Sequence, residues 1–130
     1  MSQPIEKRAL QGVLMLAACV PVAAGVAGIV GGLPDGSAAR DSHYRYLSGL
    51  LLGLGLLFWS TVPAVERRTG LIRALTLVVF IGGLARLYAL VVRGDPGSMK
   101  WALVMELLVA PAVCLWQARV AARSAAQSLS

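Results

Sequence analysis

Apolar and polar positions along this chain segregate into blocks instead of alternating with a helical or strand period. Four apolar stretches, at about residues 9–33, 46–65, 71–92 and 101–120, are separated by short charged breaks. A hydrocarbon core of about 30 Å needs about 20 helical residues, and each stretch is close to that length. Lipid offers no hydrogen-bond partners to free backbone groups, so each stretch is expected to be a helix. Turn chemistry fills the breaks. Gly31-Gly32-Leu33-Pro34-Asp35-Gly36 ends the first stretch, Glu66-Arg67-Arg68-Thr69-Gly70 is short and charged, and Arg93-Gly94-Asp95-Pro96-Gly97-Ser98 is a strong turn signature. Short connections place consecutive spans side by side. The expected fold class is therefore all-α, a four-transmembrane-helix antiparallel bundle forming a single integral membrane domain over residues 1–130.

Composition agrees with this pattern. Hydrophobic residues make up 58% and charged ones 14%, against about 25% charged in soluble domains. Mean hydropathy is +0.74. The net charge of +6 does not imply nucleic acid, because the basic residues lie at the ends of apolar blocks and form no stripe. They set topology instead. Lys7, Arg8, Arg67, Arg68, Arg73, Arg119 and Arg123 fall on one side, against Arg40, Arg45, Arg93 and Lys100 on the other. The positive-inside rule then puts both termini in the cytoplasm of a multi-pass protein of the inner membrane. Lys7 and Arg8 before an apolar run resemble the start of a signal peptide, and Leu16-Ala17-Ala18-Cys19 resembles a lipobox. The run is longer than a signal h-region, and its apolar continuation past Cys19 is unlike a lipoprotein start, so a retained first span is expected. Residues 124–130 are small and polar and are expected to fray.

Two charges stand alone inside the apolar blocks: Arg86 in the third and Glu106 in the fourth. A charge at membrane depth costs about 2.5–3.5 kcal/mol on insertion scales, so it needs a partner or a task. Arg86 lies shortly before the end of its span and Glu106 shortly after the start of the next, both about 8–9 Å from the same boundary. A tight turn joins these spans, so a guanidinium–carboxylate pair is expected. Arg45, at the start of the second span, is long enough to join them. His43, Tyr44, Tyr46 and Ser48 would surround the mouth of such a cluster, with Tyr88 near the same interface. Two cations facing one anion would receive an anionic headgroup, a carboxylate or Asp41.

Small residues mark packing faces. Gly28 with Gly32, and Gly49 with Gly53, have GxxxG spacing, and Ser48 and Gly55 extend the second surface. Intrachain packing explains such glycines more readily than dimerisation. Pro111, five residues after Glu106, is expected to bend the fourth helix and free carbonyls below the carboxylate. Catalytic templates fail: there is no GxSxG, P-loop or paired-carboxylate site, and Asp41 with His43 is weak for acid–base chemistry. Cys19 and Cys114 have no CxxC partner, and with a single His43 neither a metal site nor a cofactor is expected.

His43-Tyr44-Arg45-Tyr46-Leu47-Ser48-Gly49, Gly82-Gly83-Leu84-Ala85-Arg86-Leu87, and Glu106 followed by Pro111 and Trp116 together resemble the bacterial four-helix membrane family filed as domain-of-unknown-function 4345. The resemblance covers about residues 12–117. It implies a small inner-membrane protein with Arg45, Arg86 and Glu106 on the family's polar positions, and it supplies no reaction. Size and span count are also similar to small multidrug-resistance transporters, but the first span lacks the embedded Glu of that group. Three functions follow in order. The first is an accessory or lipid-interacting membrane subunit, in contact with membrane lipids and with a membrane-protein partner or a second copy. The second is binding or transport of an anionic or amphipathic small molecule at the polar cluster. The third is a small intramembrane enzyme on a lipid-like substrate, which is disfavoured because a Glu held by Arg86 stays ionised and is a poor general acid.

Overall fold

The computed structural model describes residues 3–94, 97 and 99–130. Asp95, Pro96 and Ser98 of the third expected turn lie outside the described residues. Helix α1 spans Gln3–Gly31 and α2 spans Ala38–Thr61, followed by a 3₁₀ segment, Val62–Arg67. Helix α3 is Thr69–Arg93. The last span is composite: α4 (Met99–Val104), a π-helical turn (Met105–Val109) and α5 (Ala110–Ser128). No strand occurs among the described residues. Four helical stretches of 28, 30, 25 and 30 residues are long and apolar enough to cross a membrane. Their side chains are distributed accordingly. Leu16, Val30, Val91 and Leu115 are exposed, whereas Ser48, Thr61, Thr76 and Gln117 are buried. That is the arrangement expected when lipid is the solvent and polar groups bond between helices.

The chain forms two compact units, Gln11–Pro63 on one hand and Met1–Leu10 with Ala64–Ser130 on the other. In the first, α1 and α2 run antiparallel. Their contact surface is built on glycine: a Cβ at Gly25 would lie 2.6 Å from the Leu52 backbone nitrogen, and one at Gly55 2.6 Å from Val22 Cγ2. Gly28 abuts the Ser48 hydroxyl in the same way. Side chains bond across the pair further along, with Trp59 Nε1 donating to the Met15 carbonyl (3.1 Å) and Gln11 Nε2 to the Val62 carbonyl (2.7 Å). Gly32 ends α1 at φ +63°, its N–H bonded to the Gly28 carbonyl, a left-handed cap that favours glycine.

In the second unit, α3 runs antiparallel to α4 and α5, with Ile72, Leu75 and Val120 buried between the helices. Gln117 is fully buried and donates to the Val65 carbonyl (2.7 Å) and Thr69 Oγ1 (2.8 Å). The first turn of α1 belongs to this unit. Glu6 accepts from Arg123 Nη1 (2.6 Å) and Trp116 Nε1 (3.3 Å), and Lys7 donates to Glu66 (2.9 Å).

The helices outrun the apolar blocks. Helix α2 begins at Ala38 because Ser37 caps it, its Oγ accepting from the Arg40 amide, and because Asp41 and Arg45 form an i, i+4 pair on its first turns. At the other end, residues expected to fray are helical to Ser128, in keeping with the helix propensity of Ala121, Ala122, Ala125 and Ala126. The break after α2 falls earlier than the charged residues suggest. Pro63 opposes continued helix, and Ala64 leaves helical geometry at φ −126°, ψ 44°.

Candidate intramembrane polar site

Glu106 owes its position to a proline. Pro111 has no N–H to offer the Leu107 carbonyl, and the helix widens ahead of it, with the Ala110 N–H bonding to the Met105 carbonyl. Such a turn rotates successive side chains less than an ordinary helix does. Consecutive residues Glu106 and Leu107 therefore both face Gly83 of α3, where a Cβ would meet Leu107 Cδ2 at 2.8 Å and Glu106 Cβ at 2.9 Å. The missing side chain at Gly83 is what lets the acidic residue approach α3 so closely.

One turn of α3 beyond Gly83, Arg86 receives the carboxylate in a fork. Nε donates to Oε2 at 3.0 Å and Nη2 to Oε1 at 3.1 Å. Both carboxylate oxygens are engaged, and the remaining guanidinium nitrogen, Nη1, lies 3.7 Å from the soft sulfur of Met99. The side chains retain 34% and 20% exposure, so the pair lies at the flank of its unit and not in a sealed core. This bidentate geometry is the strong form of a charge-assisted bond and fixes the register of α3 against the last span.

Arg45 is engaged inside the other unit. Nε donates to Asp41 Oδ2 at 2.8 Å, and Nη1 reaches the carbonyls of Ile29 and Val30 at the end of α1. Asp41 Oδ1 accepts from the Leu33 amide at 2.6 Å. Together they staple the turn between α1 and α2: the cation meets the negative end of α1 and the anion takes a free amide just beyond it. The structure pairs Arg86 with Glu106 in one unit and Arg45 with Asp41 in the other.

The remaining candidates are placed as follows. Ser48 is buried, donates to the Tyr44 carbonyl (2.8 Å) and packs on Gly28. His43 and Tyr44 line a groove with Leu33, Ala39, Arg40 and Leu47. Tyr46 and Tyr88 are exposed, the latter to 72%. Gly28 and Gly32 lie at the α1–α2 contact, whereas a Cβ at Gly49 or Gly53 would meet no described atom within 4 Å. Among the described residues no group of acidic, His and Cys side chains could hold a metal.

Sequence reasoning missed Asp41 as a capping group, the Glu6–Trp116–Arg123 cluster and Gln117. Arg123 counts there only as a flanking charge. The signal for Gln117 is an amide closing the apolar core of the last span, and it was available.

A family model described as a domain of unknown function (DUF4345) matches residues 9–117. The chain belongs to this family. The matched region holds Arg45, Arg86 and Glu106 and ends on Gln117, leaving Glu6 and Arg123 outside it. No curated protein and no solved structure matches the chain.

Proposed function

We propose that this member of the DUF4345 family is a non-enzymatic component of the bacterial inner membrane, an accessory or lipid-interacting subunit with both termini in the cytoplasm. The observation that carries the reading is the fork between Arg86 and Glu106. Both carboxylate oxygens accept from the guanidinium, so Glu106 serves as a clamp between helices. A carboxylate with both oxygens turned to a guanidinium is poorly placed to exchange a proton with a substrate.

Native mass spectrometry of the protein extracted gently from its own membrane tests this. Retained phospholipid or a stoichiometric protein partner is expected. Turnover of a membrane lipid by the purified protein, lost in Glu106→Gln at unchanged thermal stability, would replace this reading with an enzymatic one.

A second reading, binding or transport of an anionic or amphipathic small molecule, draws on the groove beside His43 and Tyr44. Flux of such a molecule into liposomes, abolished by substitutions in that groove, would support it.

A further inference from the structure

Helix α2 opens with a stripe whose chemistry changes along the span. Ala39, Arg40, His43, Tyr44 and Leu47 share one side of the helix, and Leu33, in the turn after α1, adds to the lining. They line an open groove of about 410 Å³. From Ala39 to Leu47 the stripe covers about 12 Å of helix rise. It runs from a guanidinium at the first turn, through an imidazole and a phenol, to a branched alkyl group inside the apolar block. Among the described residues of the lining, Arg40 carries the only formal charge. Its neighbour Asp41 does not offset it, because Oδ1 accepts from the Leu33 amide and Oδ2 from Arg45. The positive end of α2 lies at the same place, where the first amides of the helix have no partner within it. Charge at the helix start and apolar lining toward the span are the two halves of an amphiphile in reverse.

We propose that this groove seats one anionic phospholipid. Its phosphate lies against the Arg40 side chain, with His43 beside the glycerol and an acyl chain along Leu33, Tyr44 and Leu47. The proposal rests on the lipid-interacting reading above and names the lipid class and its site. A zwitterionic lipid fits less well, because its ammonium group would face Arg40.

The full chain, in nanodiscs of phosphatidylglycerol and phosphatidylcholine at equal fractions, is the system for the test. Lipids carried into native mass spectra are counted by headgroup. Wild type is expected to retain phosphatidylglycerol first. Arg40→Gln should lower that preference about fivefold, the effect of one basic residue at a membrane surface. Arg40→Lys keeps the charge and should keep the preference, while Leu47→Trp fills the apolar end and should reduce retention of both lipids. Arg68→Gln, a control of equal charge loss outside the groove, should lower the preference much less than Arg40→Gln does. A preference that survives both Arg40→Gln and Leu47→Trp overturns the groove while leaving the lipid-interacting reading in place. Equal retention of the two lipids by wild type also overturns it. A wild type that carries no phospholipid of either kind removes the lipid-interacting reading as well.

Discussion

Replacing Arg86 with Gln leaves the Glu106 carboxylate in an apolar span without its counter-ion, and replacing Glu106 with Gln does the same to Arg86. Breaking a fully buried pair costs about 3–5 kcal/mol. Here the side chains are 34% and 20% exposed, so headgroups and water relieve part of that penalty, and about 2 kcal/mol per single substitution is expected. The double variant carries two neutral amides that can bond to each other. It should recover part of the summed loss, giving a coupling energy of about 1–1.5 kcal/mol, near the upper end of interhelical bonds in membranes. Reversible unfolding of the detergent-solubilised protein, in a mixed-micelle titration followed by tryptophan fluorescence, measures all four corners of the cycle. Losses that add to within about 0.5 kcal/mol would show that the two side chains do not depend on each other, and the clamp between α3 and the last span would be refuted.

Three further outcomes are expected from the same assay. Gly25→Ala should cost about 1–3 kcal/mol, since its Cβ would press on the Leu52 backbone, whereas Gly49→Ala and Gly53→Ala should be neutral or slightly stabilising. Equal losses at all three sites would contradict the α1–α2 interface described here. Gly83→Ala should destabilise and disturb the Arg86–Glu106 fork, while Gly82→Ala, where a Cβ meets nothing within 4 Å, should gain up to about 1 kcal/mol from helix propensity; the opposite order would mean that α3 is rotated. Gln117→Leu should cost about 1–3 kcal/mol by stranding the Val65 carbonyl, and unchanged stability would show that this carbonyl finds another donor.

The four spans are legible in the sequence because lipid imposes a crude rule, long apolar runs broken by charge. The approach of Arg86 to Glu106 is legible for a related reason: each is alone in its run, and a short turn sets their depths. What escapes is rotational. A helix in lipid has no polar stripe to mark its inner face, so GxxxG spacing identifies Gly49 and Gly53 as a surface without saying which way it points. The contact surface of α2 instead runs through Ser48, Leu52 and Gly55. Residues 38–45 carry three charges, Arg40, Asp41 and Arg45, ahead of the second apolar block, yet Asp41 and Arg45 are four apart and pair on the first turns of the helix. The widened turn at Met105–Val109 is a geometric response to Pro111. Sequence indicates a bend there but not that two consecutive side chains will share one face.

The contact between the first and last helices has a consequence for how the protein is made. Glu6 and Arg123 are 117 residues apart in sequence. At ordinary translation speeds of about 5–20 residues per second, the acid waits on the order of 6–23 seconds for its counter-ion. Glu6 is 7% exposed once paired, so during that interval its carboxylate keeps its hydration and the first turn of α1 stays outside its final seat. Docking of the amino-terminal turn is therefore a late event in biogenesis, completed only after α5 has left the ribosome.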